Sequence, residues 1–214
     1  MNKAFIFDLD GVIIDNEPLW EIAKKEMYTK LFGEEIYSII GPTVGMDMHS
    51  IYRRAIGLGA KVTLQSTLDE FYRHALNIYA IAPVTKGVEK LADLLVKEGY
   101  MIGLVSASPT DWINRVIDRL SFKEKIALII SLEDSPDLRK KPEPDGYLKV
   151  MEKLDTTPSA TVILEDSNSG IAAAKASGAF TIALTQNLVK GYQQIEADAK
   201  ANNMDEVMRI IKNH

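Results

Sequence analysis

Five short apolar runs, at Ala4–Phe7, Met101–Val105, Ala127–Ile130, Val162–Leu164 and Phe180–Leu184, each stop at polar or acidic residues. Continuous apolar runs of this length are what strands buried on both faces require, and that environment belongs to a parallel sheet. Parallel neighbours need crossovers, and amphipathic segments supply them. Val88, Leu91, Leu94 and Leu95 form a helical stripe that stops at Gly99; Ile113, Val116, Ile117 and Leu120 form another. Tyr147, Leu148, Met151 and Leu154 follow, then the Ala-rich Ile171–Ala176 before Gly178. Strand and helix alternate, which predicts an open α/β sheet covered by helices on both faces.

The first interval breaks the pattern. After the first strand about 65 residues, 16–80, intervene before the chain returns to the helix near Gly87, where a whole crossover needs only about a dozen or more. Within it Leu19, Ala23, Met27 and Leu31 recur every fourth residue; Met48, Ile51, Tyr52 and Ala55 form a second stripe; Leu68, Phe71, Tyr72, Ala75, Leu76 and Tyr79 form a third. These stripes predict a small helical domain over 16–80 inserted into a core made of 1–15 plus 81–214, with Pro83 marking the return. The segment 197–203 reads poorly as a strand, so the sheet edge there stays open. Met204, Val207, Met208 and Ile211 read as a closing helix.

Composition removes several functions. With 46% hydrophobic and 26% charged residues the chain is ordinary globular material, so disorder and fibrous repeats are excluded. A formal charge of −5 offers no field to gather nucleic acid. Zero Cys excludes a thiolate nucleophile and Cys-ligated metal, so any metal must be held by oxygen or imidazole. The first apolar run meets Asp8 too soon for a secretory signal, and no stretch reaches membrane-spanning length. A soluble cytoplasmic protein is expected.

Ligands of open α/β sheets bind beyond the carboxyl ends of the strands, which directs attention to the residues that follow each apolar run. These are Asp8-Leu9-Asp10-Gly11, Ser106-Ala107-Ser108-Pro109 and Glu165-Asp166-Ser167-Asn168-Ser169-Gly170, together with Arg139-Lys140-Lys141-Pro142-Glu143-Pro144-Asp145 before the third later helix. Asp8, Asp10, Glu165 and Asp166 would meet at one edge, and that much negative charge needs a cation. With oxygen donors alone on offer, Mg²⁺ is the natural occupant. Lys141 would pair with carboxylate or phosphoryl oxygens; Ser106 and the N–H groups of Ala107 and Ser108 would donate to the remaining phosphoryl oxygens; Gly11 would allow a tight turn beside them. Each feature has a plainer reading: Asp-x-Asp as a solvated strand end, Ser106 or Ser108 as a cap for a helix at Thr110, Lys141 as a surface lysine. Four strand ends each supplying what a phosphoryl site needs, in sequence order, argue against coincidence. An EF-hand is disfavoured, because Gly11 stands at loop position four and no twelfth-position Glu follows. A receiver-like phosphoacceptor module would share the acidic pocket and Lys, but its acceptor normally follows an interior strand of a shorter chain.

The Phe7-Asp8-Leu9-Asp10-Gly11-Val12 opening, Ser106, Lys141-Pro142-Glu143-Pro144-Asp145 and Glu165–Gly170 together resemble the haloacid dehalogenase superfamily. The likeness spans nearly the whole chain. It implies a Rossmann-like core with a helical cap inserted after the first strand, as in the phosphoglycolate-phosphatase and β-phosphoglucomutase branch. It also implies Asp8 as a nucleophile that forms an aspartyl-phosphate, Asp10 as general acid/base, and a metal held by Asp8, the Asp10 carbonyl and Asp166, with Glu165 nearby. Dehalogenases of the superfamily lack the second aspartate, and ion pumps usually place threonine there, so Asp10 implies phosphorus chemistry with rapid turnover.

Hydrolysis and mutase chemistry divide over the cap. Trp20 stands where the mutase branch is aligned to carry histidine, and Gly41–Met46 has no arginine, so the β-phosphoglucomutase alternative loses its specific support. Asp15-Asn16-Glu17-Pro18-Leu19 resembles sugar-phosphate phosphatases, which makes Glu17 the candidate reader of substrate hydroxyls. The expectation is a Mg²⁺-dependent phosphatase for a small phosphorylated metabolite, a sugar or polyol phosphate, acting as a monomer or weak homodimer without nucleic-acid or membrane partners.

Overall fold

A computed structural model describes residues 2–41, 43, 46 and 48–214. Six strands form one parallel sheet: β1 (Asn2–Phe7), β2 (Tyr100–Ser106), β3 (Ile126–Ser131), β4 (Thr156–Glu165), β5 (Phe180–Leu184) and β6 (Ala199–Ala201). Their order is β3-β2-β1-β4-β5-β6. The chain therefore winds outward from β1 in one direction and, after β3, in the other. This is the Rossmann-like arrangement implied by the sequence, with the reversal of strand order falling between β1 and β4. Ala4, Phe5, Ile6 and Phe7 of the central β1 are fully inaccessible, as are Leu104, Ile163 and Leu164 in its neighbours, whereas β3 at the sheet edge leaves Ala127 exposed and Leu128 and Ile129 half-buried.

Helices α5 (Val88–Lys97), α6 (Thr110–Ile117), α7 (Asp145–Lys153), α8 (Asn168–Ala176) and α9 (Met204–Asn213) carry the connections and the closing stripe. On one face Tyr147, Val150 and Met151 of α7 and Ala173 and Ala174 of α8 bury against Ala4, Ile6, Val105 and Ile163. The small residues let α8 lie close. A Cβ at Gly103 would stand 2.7 Å from the Val150 side chain, so that strand position accepts only glycine where α7 crosses.

The strand β6 corrects the poor reading of 197–203. It has no apolar run; pairing with β5, Ile182 opposite Ala199, makes it a strand. The carboxylate of Asp198 accepts the Thr181 N–H at 2.8 Å and fixes the entry.

The chain divides into two units, Met1–Asn16 with Ala82–His214, and Glu17–Ile81. In the larger unit the outgoing and returning segments pair across Ile14 and Val84, with Asp15 N–H donating to the Pro83 carbonyl and Thr85 N–H to the Ile13 carbonyl. The smaller unit is helical: α1 (Glu17–Phe32), α2 (Glu34–Ile39), α3 (Met48–Gly57) and α4 (Leu64–Ile81). Met27, Tyr28, Phe32, Ile51 and Ala55 form its core. Of the Gly41–Met46 segment, Pro42, Val44 and Gly45 lie outside the described residues. No described helix is long and apolar enough to cross a membrane.

Candidate active site

Register places the acidic strand ends together. Phe7 of β1 sits opposite Leu104 of β2 and Leu164 of β4, so the next residues, Asp8 and Glu165, emerge side by side at the carboxyl edge. The Asp8 N–H donates to the Leu164 carbonyl at 3.1 Å, which holds that register through the last residue. Lys141 reaches the same point from the loop before α7. Its Nζ donates to Asp8 Oδ1 at 2.5 Å, to Glu165 Oε1 at 2.6 Å and to the Val105 carbonyl at 3.3 Å. Side-chain exposure is 7% for Lys141, 9% for Asp8 and 0% for Glu165, so the surface-lysine reading fails.

Glu165 is enclosed by donors. Oε1 accepts from Lys141 and from the Tyr147 hydroxyl at 2.6 Å. Oε2 accepts the Asp166 N–H, the Ser167 N–H and the Ser167 hydroxyl at 3.1, 3.3 and 3.2 Å. Gly170 makes room for it, since a Cβ there would fall 1.9 Å from the carboxylate carbon. Glu165 thus spends lone pairs on protein donors and anchors Lys141, while its carboxylate still stands in the same acidic cluster as Asp8 and Asp166.

Among the described residues, the carboxylates of Asp8, Glu165 and Asp166 each bring an oxygen within 4.8 Å of the others. Burial raises the Asp8 carboxyl to about 8 in spite of Lys141, with Glu165 and Asp10 adding to the rise. Burial, then Asp8 and Glu165, push Asp166 well above the carboxylate range. Burial opposes the charge on Lys141, yet Asp8 and Glu165 win and hold it well above its ordinary value. One ammonium does not balance this many carboxylates. The deficit, and the hard oxygen donors of Asp8 and Asp166, fit a divalent cation such as Mg²⁺. Gly11 closes the far side: at φ +76° it admits no Cβ, because one would lie 1.9 Å from Asp166 Oδ2.

The Asp10 carboxylate faces elsewhere, outside that cluster. It accepts from Asn16 Nδ2 at 2.5 Å, from the Ser108 hydroxyl at 2.9 Å and from the Ser106 hydroxyl at 3.4 Å. Its side chain is not among the clustered carboxylates, which is compatible with the expectation that Asp10 would meet a metal through its carbonyl and keep its carboxylate for proton transfer. The serines do not cap α6. Its first N–H, of Thr110, donates instead to Asp134 Oδ2 at 2.7 Å. The Ser108 N–H, expected as a phosphoryl donor, already donates to the Ser106 hydroxyl at 3.0 Å. The Ala107 residue is exposed at the same loop.

Glu17 belongs to the helical unit. It pairs with Lys24 at 3.4 Å and lines a cavity of about 260 Å³ with Trp20, Lys24, Met27, Tyr28 and Phe71. The Trp20 ring stacks on Phe71 with centroids 5.2 Å apart.

Three residues at the site were missed from sequence: Asn16, Tyr147 and Gln194. Asn16 is buried on Asp10, and Tyr147 read as one apolar position of a helical stripe. Gln194 lies in no motif, although its Nε2 donates to the Asp166 carbonyl at 2.7 Å.

A family model described as haloacid dehalogenase-like hydrolase matches residues 5–184. Hexitol phosphatase B of Escherichia coli K12 is 30% identical over 179 residues, covering 81% of this chain and 79% of that one. A phosphorylated carbohydrates phosphatase of Thermotoga maritima is 26% identical over 216 residues, 98% of each chain. The crystal structure of a β-phosphoglucomutase from Clostridium difficile superposes with a TM-score of 0.71 at 22% identity, over 100% of this chain and 96% of that one. A likeness at that identity bears on fold alone.

Proposed function

The chain belongs to the haloacid dehalogenase-like hydrolases, and from that premise we propose a Mg²⁺-dependent phosphatase of small phosphorylated sugars or polyols that works through an aspartyl-phosphate on Asp8. The carrying observation is the Lys141 bridge between Asp8 and Glu165 beside Asp166, at the reversal of strand order. Substrates in the names of the relatives, hexitol phosphate and phosphorylated carbohydrates, support the substrate class.

The steps follow from the residues. Lys141 holds Asp8 Oδ1, and among the described residues nothing donates to Oδ2, which is the oxygen left to attack. Attack by Asp8 forms the Oδ–P bond and breaks the bond from phosphorus to the ester oxygen. The departing alkoxide takes its proton from Asp10, held in place by Asn16, Ser106 and Ser108. Water then gives a proton back to Asp10 while its oxygen attacks phosphorus, and the Asp8–P bond breaks to release inorganic phosphate. Asp8, the Asp10 carbonyl and Asp166 would hold the cation, which when bound neutralises the phosphoryl oxygens so that a carboxylate can approach. Glu165 keeps Lys141 aimed at Asp8. Glu17 is assigned to substrate hydroxyls on the resemblance of Asp15-Asn16-Glu17-Pro18-Leu19 to sugar-phosphate phosphatases.

Hydrolysis is favoured over mutase chemistry by Trp20. Where the mutase branch would carry histidine, this chain has an indole stacked on Phe71, which offers no exchangeable base. A panel of phosphorylated metabolites assayed with and without Mg²⁺ tests the proposal. Phosphate release from hexose or hexitol phosphates that vanishes with a chelator is expected; isomerisation of β-glucose 1-phosphate without phosphate release would replace it with the mutase.

A further inference from the structure

The segment linking β5 to β6 lies beyond the residues matched by the family and carries none of the motifs. It nevertheless grips the loop after β4 at several points. Gln194 Nε2 spends both protons inward, on the Asp166 carbonyl at 2.7 Å and the Leu184 carbonyl at 2.8 Å. Among the described residues its buried Oε1 has no hydrogen-bond partner, a cost that the two donated bonds must outweigh. Next to it the Tyr192 hydroxyl accepts the Asn168 N–H at 2.9 Å, one of the N–H groups that the start of α8 leaves without an intrahelical acceptor. Asn168 answers from its side chain: Nδ2 donates to the Gln193 carbonyl at 3.0 Å, and Oδ1 accepts the Ile195 N–H at 2.8 Å.

The same segment reaches the first loop. Asn187 Nδ2 donates to the Gly11 carbonyl at 3.0 Å and to the Thr85 hydroxyl at 2.7 Å. Gly11 is the residue against which Asp166 Oδ2 lies, so the grips on Gly11, Asp166 and Asn168 surround one carboxylate. A carboxylate that binds a metal has to be held to within about half an ångström, and the groups behind it set its direction.

We infer that residues 186–195 form a strap that sets the Asp166 carboxylate for its cation, with Gln194 as the positioning residue. This rests on the Mg²⁺ reading of the site. A strap that merely ties down the sheet edge would change stability and leave the cation affinity alone, which separates the two roles.

The experiment is calorimetric titration of the substrate-free full chain with Mg²⁺, with melting in chelator measured beside it. Gln194→Leu, which removes both donors, should weaken Mg²⁺ binding about tenfold or more. Tyr192→Phe keeps the ring and removes only an exposed hydroxyl; it should fold as wild type and weaken Mg²⁺ binding about threefold. If both variants fold and bind Mg²⁺ within about twofold of wild type, the strap has no such role, whatever happens to melting. If Gln194→Leu does not fold, Tyr192→Phe decides by the same criterion. Failure of the wild-type chain itself to bind Mg²⁺ would overturn the metal reading and the strap with it, and is recognised because it appears before any substitution is made.

Discussion

Replacing Lys141 by Met keeps length and apolar stem while removing the ammonium that faces Asp8 and Glu165. The lysine side chain is 7% exposed and its partners 9% and 0%, so neither carboxylate can turn to water for compensation. Asp8, which titrates at about 8, is mostly protonated at pH 7, so the charge left stranded is that of Glu165, and breaking a buried ion pair from one side costs about 3–5 kcal/mol because that charge stays buried. For a chain of this size each kcal/mol shifts the melting temperature by about 2–4 °C, so a drop of about 10 °C is expected in chelated buffer at pH 7. Saturating Mg²⁺ should return part of it, since the cation then supplies charge that the lysine no longer does. Acid should also narrow the gap, because the stranded carboxylate takes up a proton. The measurement is thermal unfolding of wild type and Lys141→Met, with chelator or Mg²⁺, at pH 5 and pH 7. A variant that melts within about 2 °C of wild type in chelated buffer at pH 7 would refute the claim that Lys141 neutralises this cluster.

Asp8→Asn should abolish turnover while circular dichroism stays that of wild type. It should also remove a pH slope. Asp8 titrates at about 8 folded against 3.8 for an ordinary Asp, so its folded form keeps a proton that the unfolded chain has released. Its destabilising effect is absent below about pH 4, grows as pH rises and is complete above about pH 8. Metal-free wild type should therefore lose stability across that window in denaturant titrations, and Asp8→Asn should lose less. Asp10→Asn should let phosphoenzyme accumulate in rapid-quench experiments, because leaving-group protonation and water activation both suffer; wild-type turnover would require another proton carrier. Gly170→Ala should lower stability by about 1–3 kcal/mol or more and impair activity, since its Cβ would stand 1.9 Å from the Glu165 carboxylate.

β1, β2, β4 and β5 were legible because burial on both faces demands unbroken apolar runs, and the acidic residues after β1 and β4 because strand ends of such sheets face ligands; β3 carries an apolar run although it is an edge strand with Ala127 exposed. β6 was not legible: Ala199, Lys200 and Ala201 have no pattern of their own and become a strand by pairing with β5. α2 escaped for a related reason, since none of its six residues is buried and no stripe forms. At the site the charged residues announced themselves, but their division of labour did not. Glu165 and Asp166 are adjacent carboxylates in sequence; the five donors around Glu165 come from Lys141, Tyr147 and the following turn, and only the folded chain brings them in. Asn16, Tyr147 and Gln194 are ordinary residue types whose importance lies in the single acceptor each one reaches.

The central claim is that phosphorus meets Asp8 while Lys141 and Asp166 stand on either side of it. A crystal structure of the chain with Mg²⁺ and beryllium fluoride tests this most directly. The account predicts the fluoride adduct on Asp8 Oδ2, with Lys141 Nζ still on Oδ1 and the ion held by Asp8, the Asp10 carbonyl and Asp166. An adduct on any other residue, or Asp8 turned away from the bound anion, would contradict it.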